Sequence, residues 1–376
     1  MSPVPVAFVS SNPEIGGSEE YLEAILSRLE PEWIGTVIVL EQGEFADRLR
    51  KHGYPVHVVP LRFRAGVPAA AWRLRRLLRR VQARVIHANG ARAAIVAAIA
   101  ATGTPARVVW LRVDCGLDGR AARMIARRCD QVVGVSRTVT ETFRGRSRRD
   151  VHVVYPGLPD FEVDRADGRA MVLDALSATE EVEAIVLSGR LCPPKGQFEL
   201  LEVAPRILER RPHAHFALLG GEDRAYVGFE DRLRHRAREL GIEDRVAFLG
   251  HRSALIGSVA DAVRFVSGCD LLVAPSLREP VSGWREGFGL SAVEALHVGT
   301  PVVGYRNGAL PEVLGDCASL VEEGERVALA AAMLRVLEDP AHRERLVSCG
   351  KRRARERYRL TPAVEGMKER YLASAR

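Results

Sequence analysis

The chain has 376 residues, 47% of them hydrophobic and 27% charged, with a formal net charge of +7. These values exclude a disordered chain and leave room for two domains of ordinary size, each with its own core. The basic excess points to anionic partners such as nucleotides, phosphorylated substrates or an anionic lipid surface.

The opening residues, MSPVPVAFVSSNP, carry neither a charged leader nor a long apolar run, so no secretory signal is expected. Strand-like β-branched segments follow in order: VPVAFVS, TVIVL, PVHVVP, RVIHA, RVVWLR, QVVGVS and VHVVY. Stretches with helical apolar spacing lie between them. In SEEYLEAILSRL, Tyr21, Leu22, Ile25, Leu26 and Leu29 share one face. Between Arg62 and Arg84 the chain holds eight arginines and no acid. Within it, residues 69–84 place Ala70, Leu74, Leu77, Leu78 and Val81 on one face and Arg73, Arg76 and Arg80 on another. This is either an ordinary surface helix or a face that touches anionic membrane. The longest apolar run, AAIVAAIAATG from Ala93, stops well short of the roughly 20 residues that span a bilayer. A soluble cytoplasmic protein, at most peripheral to the membrane, is therefore expected.

Periodicity stops at YPGLPDFEVDRADG, Tyr155 to Gly168, which reads as a linker. It then restarts with AIVLSGRL, AHFALLGG, RVAFLGH, DLLVAPS, TPVVGY and ASLVEE, a second unit of similar size. Strands alternating with helices predict two doubly wound parallel sheets. Two such domains facing one another make a cleft, and ligands of open α/β sheets bind beyond the carboxyl ends of the strands. The tail reads as a last helix packing back on the first domain. Thr361 is its expected N-cap, Pro362 its first residue, and Val364, Met367, Tyr371 and Leu372 its stripe. The six cysteines (Cys115, Cys129, Cys192, Cys269, Cys317 and Cys349) form no CxxC pair and are expected to be reduced thiols.

Three loops that follow strands carry the chemistry. In SSNPEIGGSEEYL, Gly16 and Gly17 free the backbone where a helix starts at Ser18 or Glu19, a place for an anion or a plain turn. No GxGxxG accompanies it, which counts against a dinucleotide fingerprint. In SGRLCPPKGQFELL, Arg190 and Lys195 share one loop with glycine on either side, the compact charge a diphosphate needs. Lys195 stands out because only four basic residues of the chain are lysine (Lys51, Lys195, Lys351 and Lys368). The third loop, EGFGLSAVEALHVGTPVVG, runs from Glu286 and holds a second acid, Glu294. Ser291 and Glu294 match the S-x-x-E capping box, so Glu294 has a structural reading beside a ligand-binding one. Eight residues of helix span about 12 Å, and glycosidase carboxyl pairs stand roughly 5–10 Å apart. The spacing suits two acceptors gripping two parts of one extended ligand better than an acid–base pair.

GGSEEYLEAIL, GRLCPPKG, RVAFLG, DLLVAPSL and EGFGLSAVEALHVGTPVVGYRNGALPEVL occur in that order. Together they resemble the retaining glycosyltransferases of family four, strongly from Ala184 to Leu314 and loosely before. The resemblance implies the GT-B fold, with residues 1–158 as an acceptor-side domain completed by 359–376, and 165–356 as the nucleotide-sugar donor domain. It implies that Arg190 and Lys195 neutralise the donor diphosphate and that Glu286 accepts hydrogen bonds from the donor sugar. Gly287, Phe288 and Gly289 would lie against sugar and phosphate, Leu290 and Ser291 would offer helix-start amides, and Glu294 would hold the ribose. Gly17 would supply a diphosphate-binding amide, and His251 and Arg252 lie where the family holds the base. The family often carries a first-domain histidine facing the sugar; here VVWLRVDCG offers Arg112 and Asp114, and His87 is the nearest loop histidine. These three are the acceptor-side candidates. A UDP-sugar is the expected donor and GDP-mannose the alternative, with an unspecified hydroxyl acceptor. No Asp-x-Asp occurs, so neither metal nor cofactor is expected. An epimerase or hydrolase of nucleotide sugars, or a non-catalytic sensor of them, is the rival reading. Nucleic acid is not expected, since no nucleic-acid module accompanies the charge.

Overall fold

The structure, a computed structural model, describes residues 3–61, 66–116, 119–143, 150–178, 182–250 and 259–376. They divide into two compact units, one of Met1–Pro159 with Arg359–Arg376 and one of Asp160–Tyr358.

The first unit holds β1 (Val6–Ser10), β2 (Ile34–Val39), β3 (Val56–Val58), β4 (Val85–Asn89), β5 (Arg107–Arg112), β6 (Gln131–Gly134) and β7 (Asp150–Val153). They form a parallel sheet in the order β3-β2-β1-β4-β5-β6-β7. Each strand coincides with one of the β-branched runs of the sequence. The central strands β1 and β4 are buried along their whole length, whereas the edge strands β3 and β7 are only partly so. This is the burial expected of a parallel sheet covered on both faces. Trp110, Phe143, Leu74, Leu78 and the alanines of Ala91–Ala101 fill one layer of the core.

The last helix, Leu360–Ala375, belongs to this unit and packs on β4, β5 and the helix Gly17–Leu26. It starts one residue before Thr361, with Arg359 at the N-cap. The reason is tertiary: Arg359 bridges to Leu158, and the Leu360 amide donates to the Leu158 carbonyl at 2.9 Å. Thr361 is therefore inside the helix. Val364, Met367 and Tyr371 are buried, and Leu372 is only partly so.

The second unit holds β8 (Glu183–Ser188), β9 (Ala214–Leu219), β10 (Val246–Phe248), β11 (Leu271–Ala274), β12 (Val302–Tyr305) and β13 (Ser319–Val321). Their order is β10-β9-β8-β11-β12-β13, again parallel. In the first sheet the strand order reverses between β1 and β4, and in the second between β8 and β11. Loops leaving the carboxyl ends of those strands splay apart and leave room for a ligand. The residues read as linker continue into structure sooner than expected, because Asp164 caps the helix Arg165–Leu176 by accepting from the Ala166 amide.

One cysteine expectation is overturned. Cys317 and Cys349 form a disulfide, while Cys115, Cys129, Cys192 and Cys269 are free and buried. The two partners lie 32 residues apart on different elements, a short turn and the helix Pro340–Arg357, so their spacing carries no signal of the pairing.

Candidate functional site

The loop after β8 turns through Pro193–Lys195 and reaches Gly196, which stands before the helix Gln197–Leu208. Gly196 has φ +74°, and a Cβ there would lie 2.0 Å from the Pro275 carbonyl oxygen. Only glycine lets this loop lie against the loop that follows β11. The Leu277 amide closes the contact by donating to the Pro194 carbonyl at 2.8 Å. The buried Gln197 side chain fixes the other end, donating to the Arg190 carbonyl at 2.8 Å. The two loops that flank the second switch point are thereby joined.

Their joining brings Lys195 to Glu286. Lys195 Nζ donates to Glu286 Oε2 at 2.8 Å, and Ser276 Oγ donates to the same oxygen at 3.0 Å. The backbone of Glu286 is equally determined. Its amide donates to Asn307 Oδ1 at 2.9 Å, and its carbonyl accepts from the Ala309 amide at 2.9 Å. Asn307 is itself held, donating to Glu323 at 2.8 Å. Both members of the ion pair are largely out of water, with side chains 21% and 12% exposed, so removing one strands the other charge. The Lys195 ammonium also lies 5.4 Å from the Trp284 ring. Arg190, on the same loop, is paired instead with Asp223. The two cations read together from sequence thus each have a carboxylate of their own.

Gly287, Phe288 and Gly289 are buried, with Phe288 edge-on to Tyr358 at 5.4 Å. Gly289 (φ +88°) is the N-cap of the helix Leu290–Val298, which has no side-chain cap. Leu290 and Ser291 are therefore its first two residues, and their amides are among the four that a helix leaves without an internal partner. This overturns the capping-box reading of Ser291 and Glu294. Ser291 already lies inside the helix, and Glu294 sits a turn further in, 1% exposed.

In the first unit the helix starts at Gly17, with Gly16 as N-cap, one residue earlier than expected. Glu19 organises this turn. It is buried and accepts from Ser10 Oγ at 3.3 Å, Asn12 Nδ2 at 3.2 Å and Ser18 Oγ at 2.7 Å. Asn89, at the end of β4, donates to the Ser18 carbonyl at 3.2 Å and ties the two strands of that switch point together.

The acceptor-side candidates fare unequally. His87 is corrected: it is fully buried within β4, its Nδ1 2.8 Å from the Tyr371 hydroxyl, and it packs beside Phe8. No part of its surface is open to solvent. Burial pushes its pKa down to about 3. Arg112 ends β5, 2% exposed, with its guanidinium 5.1 Å from the Phe143 ring and its Nε donating to the Asp114 carbonyl at 3.1 Å. Asp114 Oδ1 accepts from the Gly116 amide at 2.9 Å, a local turn. His251 and Arg252 lie outside the described residues, as do Arg62 and Arg64. Sequence reading missed Ser276, Asn307, Asp223, Glu19 and Asn89. Ser276, Asn307, Asp223 and Asn89 are polar residues at strand ends or loops, and Glu19 lies in the first turn of its helix; such positions signal a ligand-bearing turn without naming its partner. Among the described residues no group of three or more His, Cys, Asp or Glu could hold a metal ion.

The switch point of this parallel sheet thus holds an ion pair, a glycine turn and helix-start amides, groups of the kind that bind phosphate-bearing ligands in open α/β sheets. Comparison with known proteins specifies the class. Residues 174–353 match the family model described as "Glycosyl transferases group 1", and residues 16–157 match the "Glycosyl transferase 4-like domain". The fold is similar to that of the Anabaena HepE protein in complex with UDP-glucose, with a TM-score of 0.84 and 23% identity over 98% of this chain and 99% of that one. The GDP-mannose-dependent monoacylated alpha-(1-6)-phosphatidylinositol monomannoside mannosyltransferase of Corynebacterium glutamicum is 23% identical over 90% of both chains. The D-inositol 3-phosphate glycosyltransferase of Mycobacterium marinum is 33% identical over 169 residues; that match spans 45% of this chain and 33% of the relative's length. The chain belongs to the family-four glycosyltransferases of GT-B fold.

Proposed function

We propose that this glycosyltransferase moves a hexose-type sugar from a UDP-sugar to an acceptor hydroxyl, with retention at the anomeric carbon and without a metal. The observation that carries the reading is the meeting of Lys195, Glu286 and the start of the helix Leu290–Val298 at the switch point of the second sheet. Negative charge develops on the leaving diphosphate, and preorganised positive groups aimed at it are the largest lever such a site has. Lys195, Arg190 and the amides of Leu290 and Ser291 are assigned to that charge. Glu286 accepts from the sugar hydroxyls beside them, and Glu294 takes the ribose. Gly287, Phe288 and Gly289 bring backbone close to sugar and phosphate, and Gly17 keeps the amide role that the resemblance implies. Arg112 and Asp114 remain the acceptor-side candidates. The leaving phosphate takes the acceptor proton.

GDP-mannose is the competing donor, favoured by the Corynebacterium relative, whose name specifies it and which is similar over nearly the full length. Incubation with UDP-glucose and with GDP-mannose, followed by product analysis, separates the readings. Transfer supports the proposal, whereas free sugar or an epimer supports the hydrolase or epimerase. Nuclear magnetic resonance of the product reads retention, and activity unchanged by EDTA reads metal independence. Lys195→Ala should lower transfer by roughly a hundredfold or more; near-wild-type turnover would remove Lys195 from the mechanism.

We also propose a weak peripheral contact with anionic membrane at the inner face. The helix Val67–Val81 buries Ala70, Ala71, Leu74 and Leu78 and leaves its arginines on the outside, where Trp72 is 61% exposed with Arg76 beside its ring. No helix of the described residues is long and apolar enough to cross a membrane. Binding to anionic but not neutral liposomes at low salt is the expected result, and no binding at low salt ends this part of the proposal.

A further inference from the structure

A cavity of about 420 Å³ opens beside Asp270 and Pro301, the residues just before β11 and β12, and so at their amino ends. The donor loops leave the carboxyl ends of the same sheet. Val298, Val347 and Pro301 give the cavity apolar walls, and Arg165, Arg343 and Lys351 bring positive charge to it.

The charge is arranged rather than scattered. Arg343, Val347 and Lys351 are four residues apart on the helix Pro340–Arg357, so they form one stripe along that helix. Arg165 comes from the start of a different helix. It is pinned by donating to the Ser267 carbonyl at 3.1 Å, and it pairs with Asp270 at 3.4 Å. Asp270 is already committed, accepting from Arg169 at 3.0 Å and from the Ala184 amide at 2.9 Å. Glu344, the other acid of the lining, accepts from Ser348 at 3.0 Å. Arg343 and Lys351 have no carboxylate within ion-pair distance among the described residues. Of the four lysines, Lys195 and Lys368 are ion-paired and Lys51 is exposed, which leaves Lys351 as the half-buried lysine without an ion pair among the described residues.

We infer that this cavity binds a small phosphate-bearing ligand, held by Arg343 and Lys351 with Arg165 at its edge. The apolar walls suit the body of such a ligand and the two uncommitted cations suit its phosphate. The place of the cavity gives it a route to the donor site. Gly299 lines it and ends the helix Leu290–Val298, whose other end offers the amides assigned to the donor. The Lys351 side chain lies across that helix end, close enough that a Cβ on Gly299 would fall 2.2 Å from its Cε.

The test uses inorganic phosphate and the melting temperature, at ionic strength matched with sodium chloride. Phosphate should raise the melting temperature of the wild type and of Lys195→Ala, and should bind the Arg343→Gln/Lys351→Gln double variant at least tenfold more weakly. Both residues are partly exposed, so the double variant should melt normally without phosphate; if it does not, Lys351→Gln alone serves. A shift that survives in the variant overturns the inference, as does one that disappears in Lys195→Ala or that sodium chloride reproduces. Because the double variant leaves the donor loops untouched and Lys195→Ala leaves the cavity untouched, failure here and failure of the donor assignment are separate results.

Discussion

Burial holds the imidazole of His87 neutral, with a pKa near 3 against the usual 6.5, because a cation there would lose its hydration. Between those two values the unfolded chain binds a proton that the folded chain excludes. Stability is therefore full above pH 6.5 and falls as the pH drops, by about 1.4 kcal/mol per unit. Urea unfolding between about pH 6.5 and 5 should fall more steeply in the wild type than in His87→Gln, whose remaining slope comes from His297, His152 and His342, which burial also holds below the usual imidazole pKa. Equal slopes would mean that the folded imidazole accepts the proton after all. Glu294 poses the opposite question, of a buried acid assigned to a ligand. With the capping box gone, Glu294→Gln should leave the melting temperature near that of the wild type and weaken donor affinity by roughly ten- to a hundredfold, the worth of a charged hydrogen bond. Loss of stability with unchanged affinity would return Glu294 to a structural role.

Whether Glu286 can do its work is decided one element away, in the turn before the helix Leu310–Leu314. Gly308 has φ +53°, and a Cβ there would sit 2.1 Å from the Glu286 carbonyl oxygen. Gly308→Ala therefore meets both backbone strain and a backbone clash. It should cost at least about 2 kcal/mol of stability and raise the donor KM, read by urea melts and by initial rates. A variant as stable and active as the wild type would show that this turn does not hold Glu286 in place. At this scale the sequence was most informative about strands: the strands among the described residues coincide with the short apolar runs, most of them β-branched, because the central strands of a sheet covered on both faces must be apolar throughout. Arg190, Lys195 and Glu286 stand out in the sequence as charged residues in loops that follow strands, where charge gathers for a ligand. Their pairing does not, since Lys195 meets Glu286 only through a close approach at Gly196 that spacing along the chain does not encode.

At the scale of the molecule, the restart of strand–helix alternation after Gly168 made two sheets legible, and the last apolar stripe pointed back to the first of them. The disulfide was not legible, because a covalent link between distant elements depends on where the fold puts two thiols. The Cys317–Cys349 link joins the end of the segment that carries Asn307 and Gly308 to the helix Pro340–Arg357. Arg353 on that helix donates to the Glu312 carbonyl at 2.7 Å, and Tyr358 just beyond it donates to the Val313 carbonyl at 2.8 Å. The link closes a loop of 32 residues wholly within the second unit. By the chain-entropy argument, opening such a loop removes roughly 3–4 kcal/mol of stability. A dithiol reductant should accordingly lower the melting transition of the second unit and leave that of the first, which calorimetry with and without reductant can resolve. Cys317→Ser should reproduce the reduced behaviour and be insensitive to the reductant, which separates loss of the link from any effect on the four buried free thiols. If the reductant shifts neither transition while thiol titration shows two new thiols, the link is stabilised no better than the hydrogen bonds of Arg353 and Tyr358 that run beside it.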